Sequence, residues 1–179
     1  MKKEILIAGF GGQGVMSIGK SLVEAGLEDG LEVSWVPSYG PEMRGGTANC
    51  SVILSSDNIG SPLVYTPTEL IAMNTPSLKK YEDEVVKNGT IFINSSVIDV
   101  DVDREDVTVW KVPCDTIANE LGNSKVANMV MLGAYAEATK ALKIDTLKTM
   151  IQHMFTGRKA KLVDLNIKAL ECGIESVRK

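Results

Sequence analysis

Gly9, Gly11 and Gly14, within Glu4-Ile5-Leu6-Ile7-Ala8-Gly9-Phe10-Gly11-Gly12-Gln13-Gly14, stand at the G-x-G-x-x-G spacing of a dinucleotide-binding turn. Glycines so placed serve a tight strand-to-helix turn, close approach of the backbone to an anion, and close helix packing. A helical pattern begins at Val15, and its first turn would present unpaired N–H groups and a partial positive charge to a phosphate or carboxylate. Gly9, Gly11, Gly12, Gln13 and Gly14 are therefore the first candidate binding residues, although the same glycines also serve a fold that needs the turn and binds nothing. The dinucleotide fingerprint further requires an acid about 20 residues on, at the end of the second strand, to hold a ribose. That strand, Val33-Ser34-Trp35-Val36, runs into Pro37-Ser38-Tyr39; Asp29 and Glu32 precede it and Glu42 lies beyond it. The missing clamp argues against a stand-alone NAD-type nucleotide-binding protein, which remains the alternative from another functional class.

A second loop, Ser38-Tyr39-Gly40-Pro41-Glu42-Met43-Arg44-Gly45-Gly46-Thr47, departs from its surroundings in composition. In a doubly wound sheet it falls at the carboxyl edge, near the first glycine turn, where ligands bind. Arg44 has the planar fork that clamps phosphate or carboxylate in bidentate fashion. Ser38, Tyr39, Gly40, Glu42, Arg44, Gly45 and Gly46 join the candidates, with three roles open: ligand contact, subunit contact, or internal structure such as a Glu42–Arg44 pair.

The other chemistry-bearing residues exclude more than they suggest. Three cysteines, Cys50, Cys114 and Cys172, lie far apart with no C-x-x-C pair, so no self-contained cluster or structural zinc site is encoded. His153 is the only histidine. Asp99-Val100-Asp101-Val102-Asp103 begins like a calcium loop but carries Arg104 where the glycine belongs and Trp110 where the closing glutamate belongs. A formal charge of −4 gives no basic face for nucleic acid. No apolar run approaches the roughly 20 residues of a membrane span, and the first residues lead straight into a strand without a signal peptide, so a cytoplasmic location is expected.

Around these residues, strand patterns recur at Ile5–Ala8, Val33–Val36, Ala48–Ser55, Leu70–Met73, Thr90–Asn94 and Thr108–Val112, several alternating with helices. The chain therefore reads as one α/β domain over residues 1–179: a three-layer α/β/α sandwich with a Rossmann-like mixed sheet and a helical C-terminal third. Ala48–Ser55 is expected to return antiparallel to the second strand. The first helix places Val15, Ile18, Leu22 and Gly26 on one face, with Gly30 closing it. Thr75–Lys87 reads as a short exposed helix, and Lys125–Leu142 as a buried one. Asp145 is expected to cap the next helix, which Gly157 ends. In the last helix Val163, Ile167, Leu170, Ile174 and Val177 form a stripe, widened by Leu162, Leu165 and Ala169.

Gly9-Phe10-Gly11-Gly12-Gln13-Gly14, followed some 25 residues later by Ser38-Tyr39-Gly40-Pro41-Glu42-Met43-Arg44-Gly45-Gly46, resembles the gamma subunit of 2-oxoacid:ferredoxin oxidoreductases. The likeness covers essentially the whole chain, including Asn128-Met129-Val130-Met131-Leu132-Gly133. The Gly-Pro-Glu-Met-Arg-Gly-Gly-Thr form looks most like the 2-oxoglutarate type, then the branched-chain 2-oxoacid type, then the pyruvate type. The resemblance implies one chain of a multi-subunit enzyme that makes acyl-coenzyme A, CO2 and reduced ferredoxin from a 2-oxoacid, with no complete active site of its own. Thiamine diphosphate, magnesium and iron–sulfur clusters would belong to partner alpha, beta and ferredoxin-like delta subunits, with ferredoxin contacted indirectly. No catalytic residue and no metal ligand are assigned here. The two glycine motifs become candidates for coenzyme A, the co-substrate the resemblance implies, or for the seam with the catalytic subunits. An orphaned partner surface makes a homodimer of the isolated chain a further expectation.

Overall fold

Alternating side chains in β1 (Lys2–Phe10) enter two cores at once, because successive residues of a strand face opposite sides of its sheet. Ile5 and Ile7 point into the larger core, and Leu6 and Ala8 into the smaller. A computed structural model describes residues 1–38 and 47–178. Its sheet has the order β2-β3-β1-β4-β5-β6, formed by β1, β2 (Glu32–Ser38), β3 (Thr47–Ser55), β4 (Glu69–Ala72), β5 (Thr90–Asn94) and β6 (Thr108–Val112). Strands β1, β4, β5 and β6 run parallel in sequence across it, whereas β3 is antiparallel to both β1 and β2. The mixed sheet expected from sequence is present, with β3 wedged between β2 and β1.

Helices α1 (Val15–Glu28), α4 (Ala127–Thr139), α5 (Ile144–Met154) and α6 (Val163–Ser176) cover the larger core, together with α3 (Cys114–Glu120). The smaller core is closed by Leu78 and Tyr81 of α2 (Thr75–Tyr81) and by Val85 and Ile98. The layers are thus unequal, most helices lying on one side. Helix α1 ends as expected at Gly30: with φ 80° it donates to the Leu27 carbonyl, while Leu31 N–H reaches the Gly26 carbonyl at 2.9 Å. These paired bonds satisfy two carbonyls that the helix end would otherwise orphan. Helix α4 is buried nearly all round, and it crosses α6 closely because a Cβ at Gly133 or Gly173 would collide with the Leu170 or Val130 carbonyl.

Three helical expectations change. Helix α2 stops at Tyr81 and passes into a 3-10 turn, Glu82–Glu84, not extending to Lys87. The Arg104 guanidinium captures the Glu82 and Val85 carbonyls at 2.8 and 2.7 Å, giving them partners outside a helix. Asp145 lies inside the first turn of α5, whose cap residue is Lys143. Asp29, at the end of α1, serves that terminus instead, accepting from Lys143 N–H at 2.8 Å and the Thr146 hydroxyl at 2.6 Å. The buried face of α6 runs through Asn166, Ala169, Leu170, Gly173 and Ile174, leaving Val163 and Ile167 half-buried.

Candidate functional site

Phe10 to Gln13 form a tight turn, Gln13 N–H reaching the Phe10 carbonyl at 3.2 Å. Its third residue, Gly12, has φ 94°, the left-handed value that a type II turn requires at that place. Gly14, at φ 78°, is the second left-handed position and the cap residue of α1. Gly9, inside β1, serves packing: a Cβ there would come within 2.9 Å of Gln13, Met73 and Val15 side-chain atoms. Gly14 meets α4 in the same way, its added Cβ lying 2.6 Å from that of Asn128. Two of the three roles expected of these glycines, the turn and the close packing, are therefore visible in the geometry.

Gln13 is spent internally. Its Oε1 accepts from Phe10 N–H at 2.7 Å and from Asn74 Nδ2 at 3.0 Å, and its Nε2 donates to the Met73 carbonyl at 2.9 Å. Asn74, buried at the end of β4, also caps α2 by accepting from Ser77 N–H at 2.9 Å. This amide chain spans the place where β1 sends its helix to the larger core and β4 sends its helix to the smaller one. Such a switch point opens a crevice beyond the carboxyl ends of the two strands.

The crevice is a cleft of about 420 Å³, bounded by Gly12, Gly14, Met73, Asp115, Lys125 and Asn128. Gly14, the cap residue of α1, lies on its wall, so the cleft adjoins the helix N-terminus, the end that favours an anion. Lys125 is exposed and its ammonium makes no ion pair among the described residues. Asp115 is engaged by Asn94 Nδ2 at 2.6 Å. Asn128 Oδ1 is buried without a partner among the described residues, an acceptor that a donor in the cleft could satisfy. The combination suits a ligand with an anionic group at the helix terminus and an N–H or O–H beside it.

The stems of the second motif reach the same edge. Ser38, exposed at the end of β2, pairs with Asn49, which lies opposite Ala8; Thr47 pairs with Phe10 at the mouth of the glycine turn. Tyr39, Gly40, Glu42, Arg44, Gly45 and Gly46 lie outside the described residues. Asp115, Lys125 and Asn128 were not among the sequence candidates, although an asparagine in the first turn of a helix apolar nearly all round was a usable signal. The cysteines do not form a donor set: Cys50 and Cys114 are buried in the larger core and Cys172 sits on α6. Among the described residues no group of His, Cys, Asp and Glu is placed to hold a metal, and no helix is long and apolar enough to cross a membrane.

Residues 4–176 match the family described as pyruvate ferredoxin/flavodoxin oxidoreductase. The ketoisovalerate oxidoreductase subunit VorA of Methanothermobacter marburgensis is 40% identical over 176 residues, which are 98% of this chain and 36% of that protein. The chain thus spans about a third of the length of the ketoisovalerate relatives it matches. The 2-oxoglutarate synthase subunit KorC of the same organism is 36% identical across 99% of this chain and 97% of its own length. Among solved structures, the Magnetococcus marinus 2-oxoglutarate:ferredoxin oxidoreductase with 2-oxoglutarate, coenzyme A and succinyl-CoA bound superposes at TM-score 0.90 with 25% identity, over 99% of this chain and 31% of that one. A keto/oxoacid ferredoxin oxidoreductase gamma subunit from Geobacter sulfurreducens superposes at TM-score 0.82 with 26% identity, over 98% of both chains.

Proposed function

The chain belongs to the pyruvate ferredoxin/flavodoxin oxidoreductase family, and from that premise we propose that it is the gamma subunit of a 2-oxoacid:ferredoxin oxidoreductase that helps receive coenzyme A. The reading is carried by the match to a 2-oxoglutarate synthase subunit that covers 99% of this chain and 97% of that subunit. In the proposed reaction a 2-oxoacid loses its carboxylate as CO2, its electrons pass to ferredoxin, and the acyl group is transferred to the coenzyme A thiol. Thiamine diphosphate with magnesium, and the iron–sulfur clusters, belong to alpha, beta and delta partners in this reading.

The residues of the cleft fit the part assigned to this chain. The N–H groups of Gly12, Gly14 and the first turn of α1, with Lys125, take coenzyme A phosphate, and the buried Asn128 Oδ1 takes a donor from the same molecule. Gly9, Gly11 and Gln13 hold the turn in shape. Ser38 and the following segment, with Tyr39, Gly40, Glu42, Arg44, Gly45 and Gly46, approach the ligand or the seam with the catalytic chains. 2-Oxoglutarate is the proposed substrate, because the full-length relative and the structural neighbour at TM-score 0.90 both carry that name. A branched-chain 2-oxoacid is the second reading, favoured by the 40% identity to a ketoisovalerate oxidoreductase subunit.

The test is reconstitution. Co-expressed with its alpha, beta and delta partners, the chain should form a stoichiometric complex that reduces ferredoxin when supplied with a 2-oxoacid and coenzyme A. Comparing kcat/KM for 2-oxoglutarate and ketoisovalerate then decides the substrate. The purified chain alone should turn over neither, and sustained acceptor reduction by it without partners would overturn the reading.

A further inference from the structure

Away from the cleft, helices α1 and α5 leave a groove of about 830 Å³. Leu27, Met150 and Met154 form an apolar floor, Leu27 being 59% and Met154 39% exposed, and Glu24, Glu28 and Asp145 stand around it. None of these three carboxylates forms an ion pair among the described residues. The last turn of α5 leads from the groove, through Phe155 and Thr156, into a 3-10 segment, Gly157–Leu162, that carries Arg158, Lys159 and Lys161. Those cations are exposed and likewise form no ion pair among the described residues. The segment buries none of its residues, and six residues is long for a 3-10 run, whose hydrogen bonds are poorly aligned.

We propose that the α1–α5 groove is a self-association site, filled by the cationic Gly157–Leu162 segment of a second copy of this chain. The two complementary surfaces adjoin at the C-terminal end of α5. A twofold rotation about that end therefore sets each segment on the other copy's groove, the reciprocal contact of a closed dimer. Association covers the floor of Leu27, Met150 and Met154 and gives the three carboxylates three cationic partners. The charge pairs supply much of the attraction and set the register and the choice of partner, and covering the apolar floor adds to it.

Sedimentation of the purified full chain tests this, with charge reversal in two variants: Glu24→Lys with Glu28→Lys, and Arg158→Glu with Lys159→Glu. All four positions are exposed, so circular dichroism should match the parent in both. The parent should dimerise at low salt and weaken near 1 M salt, where the Debye length falls to about 3 Å. Each variant alone sets like charges against each other at both halves of the contact, and should lose affinity at least about tenfold. Mixed in equal amounts, the two variants are complementary again in both halves and should form a one-to-one heterodimer. A parent that stays monomeric, a dimer indifferent to both reversals, or a mixture that fails to associate would each overturn the proposal. If reversal instead releases only the catalytic subunits from the assembled enzyme, the groove belongs to one of them and not to a second copy.

Discussion

Gln13 Nε2 donates to the Met73 carbonyl at 2.9 Å, tying the glycine turn after β1 to the carboxyl end of β4. The Oε1 of the same amide holds Phe10 N–H and Asn74 Nδ2. A residue that looks from its neighbours like a ligand contact is thus a strut across the crevice. Gln13→Ala should destabilise the chain by about 1–3 kcal/mol, since it leaves half-buried donors and an acceptor without partners. Gln13→Glu should not rescue it, because a carboxylate can keep the two accepted bonds but has no N–H for Met73. Urea unfolding of the three proteins decides the matter, and parental stability in Gln13→Ala would contradict the strut.

Two left-handed glycines separate backbone strain from crowding. Gly14 and Gly30 have nearly the same φ, 78° and 80°, but a Cβ at Gly30 meets nothing within 4 Å whereas one at Gly14 meets the Asn128 Cβ at 2.6 Å. Gly30→Ala should cost about 1–2 kcal/mol, the left-handed penalty alone. Gly14→Ala should add about 1–3 kcal/mol of overpacking at the α1–α4 contact. Thermal melting of both variants measures the gap. Equal losses would mean that α4 shifts freely away from the turn.

The parts of this fold readable from sequence are those that local chemistry determines. The apolar run Ile5–Ala8, the left-handed glycines of the turn, the closing Gly30 and the near-continuous apolar surface of α4 are each short-range signals. The parts that were not readable depend on distant partners. Arg104 ends α2 by taking carbonyls that precede it by about 20 residues, and Asp29 replaces Asp145 at the start of α5. The face of α6 is turned toward Gly173 because that glycine admits the Val130 carbonyl, and hydropathy gives a glycine no weight. In the site, the glycine motif announced the turn, and β3's place beside β1 brought the second motif's stem to it. Lys125, on the 3-10 turn Ser124–Val126, and Asn128, in the first turn of α4, enter from more than 100 residues away, joined by packing that no local pattern records.

Alkaline pH should weaken the fold before it breaks the chain's exposed ion pairs. Burial pushes the Cys50 thiol up from 9.0 to about 11, partly offset by its contact with Trp35. Burial, reinforced by the Asp115 carboxylate, holds Cys114 well above the ordinary thiol range, and burial with the Glu69 charge does the same for the Tyr135 phenol. Each folded-state value is raised, so above the ordinary thiol range the unfolded chain releases protons that the folded chain retains. The stabilisation is complete below that range and is lost as pH climbs toward about 11. Melting temperatures across this window should fall progressively, and Cys50→Ala should flatten the slope. A thiol reagent at neutral pH should modify Cys172 in the folded protein and all three cysteines only in denaturant.

Lys125 separates ligand binding from assembly in the proposed complex. Its side chain forms no ion pair among the described residues, so Lys125→Ala should leave the melting temperature of the isolated chain unchanged. If its ammonium meets a coenzyme A phosphate at the start of α1, the variant should raise the KM for coenzyme A about fivefold, the loss of roughly 1 kcal/mol expected for a solvent-exposed charge pair. The KM for the 2-oxoacid and kcat at saturating coenzyme A should stay put, because this contact lies outside the proposed thiamine chemistry. Lys125→Arg keeps the charge and should recover most of the affinity; Lys125→Glu should be worse than alanine. Arg44→Ala provides a second arm, with a larger rise of about ten- to a hundredfold if its guanidinium clamps the phosphate through charge-assisted hydrogen bonds. A seam role gives a different signature, in which the catalytic subunits co-purify poorly while the surviving complex binds coenzyme A normally. Titration of coenzyme A into intact, stoichiometric complexes distinguishes these outcomes, and an unchanged KM in Lys125→Glu would remove the cleft from the binding site.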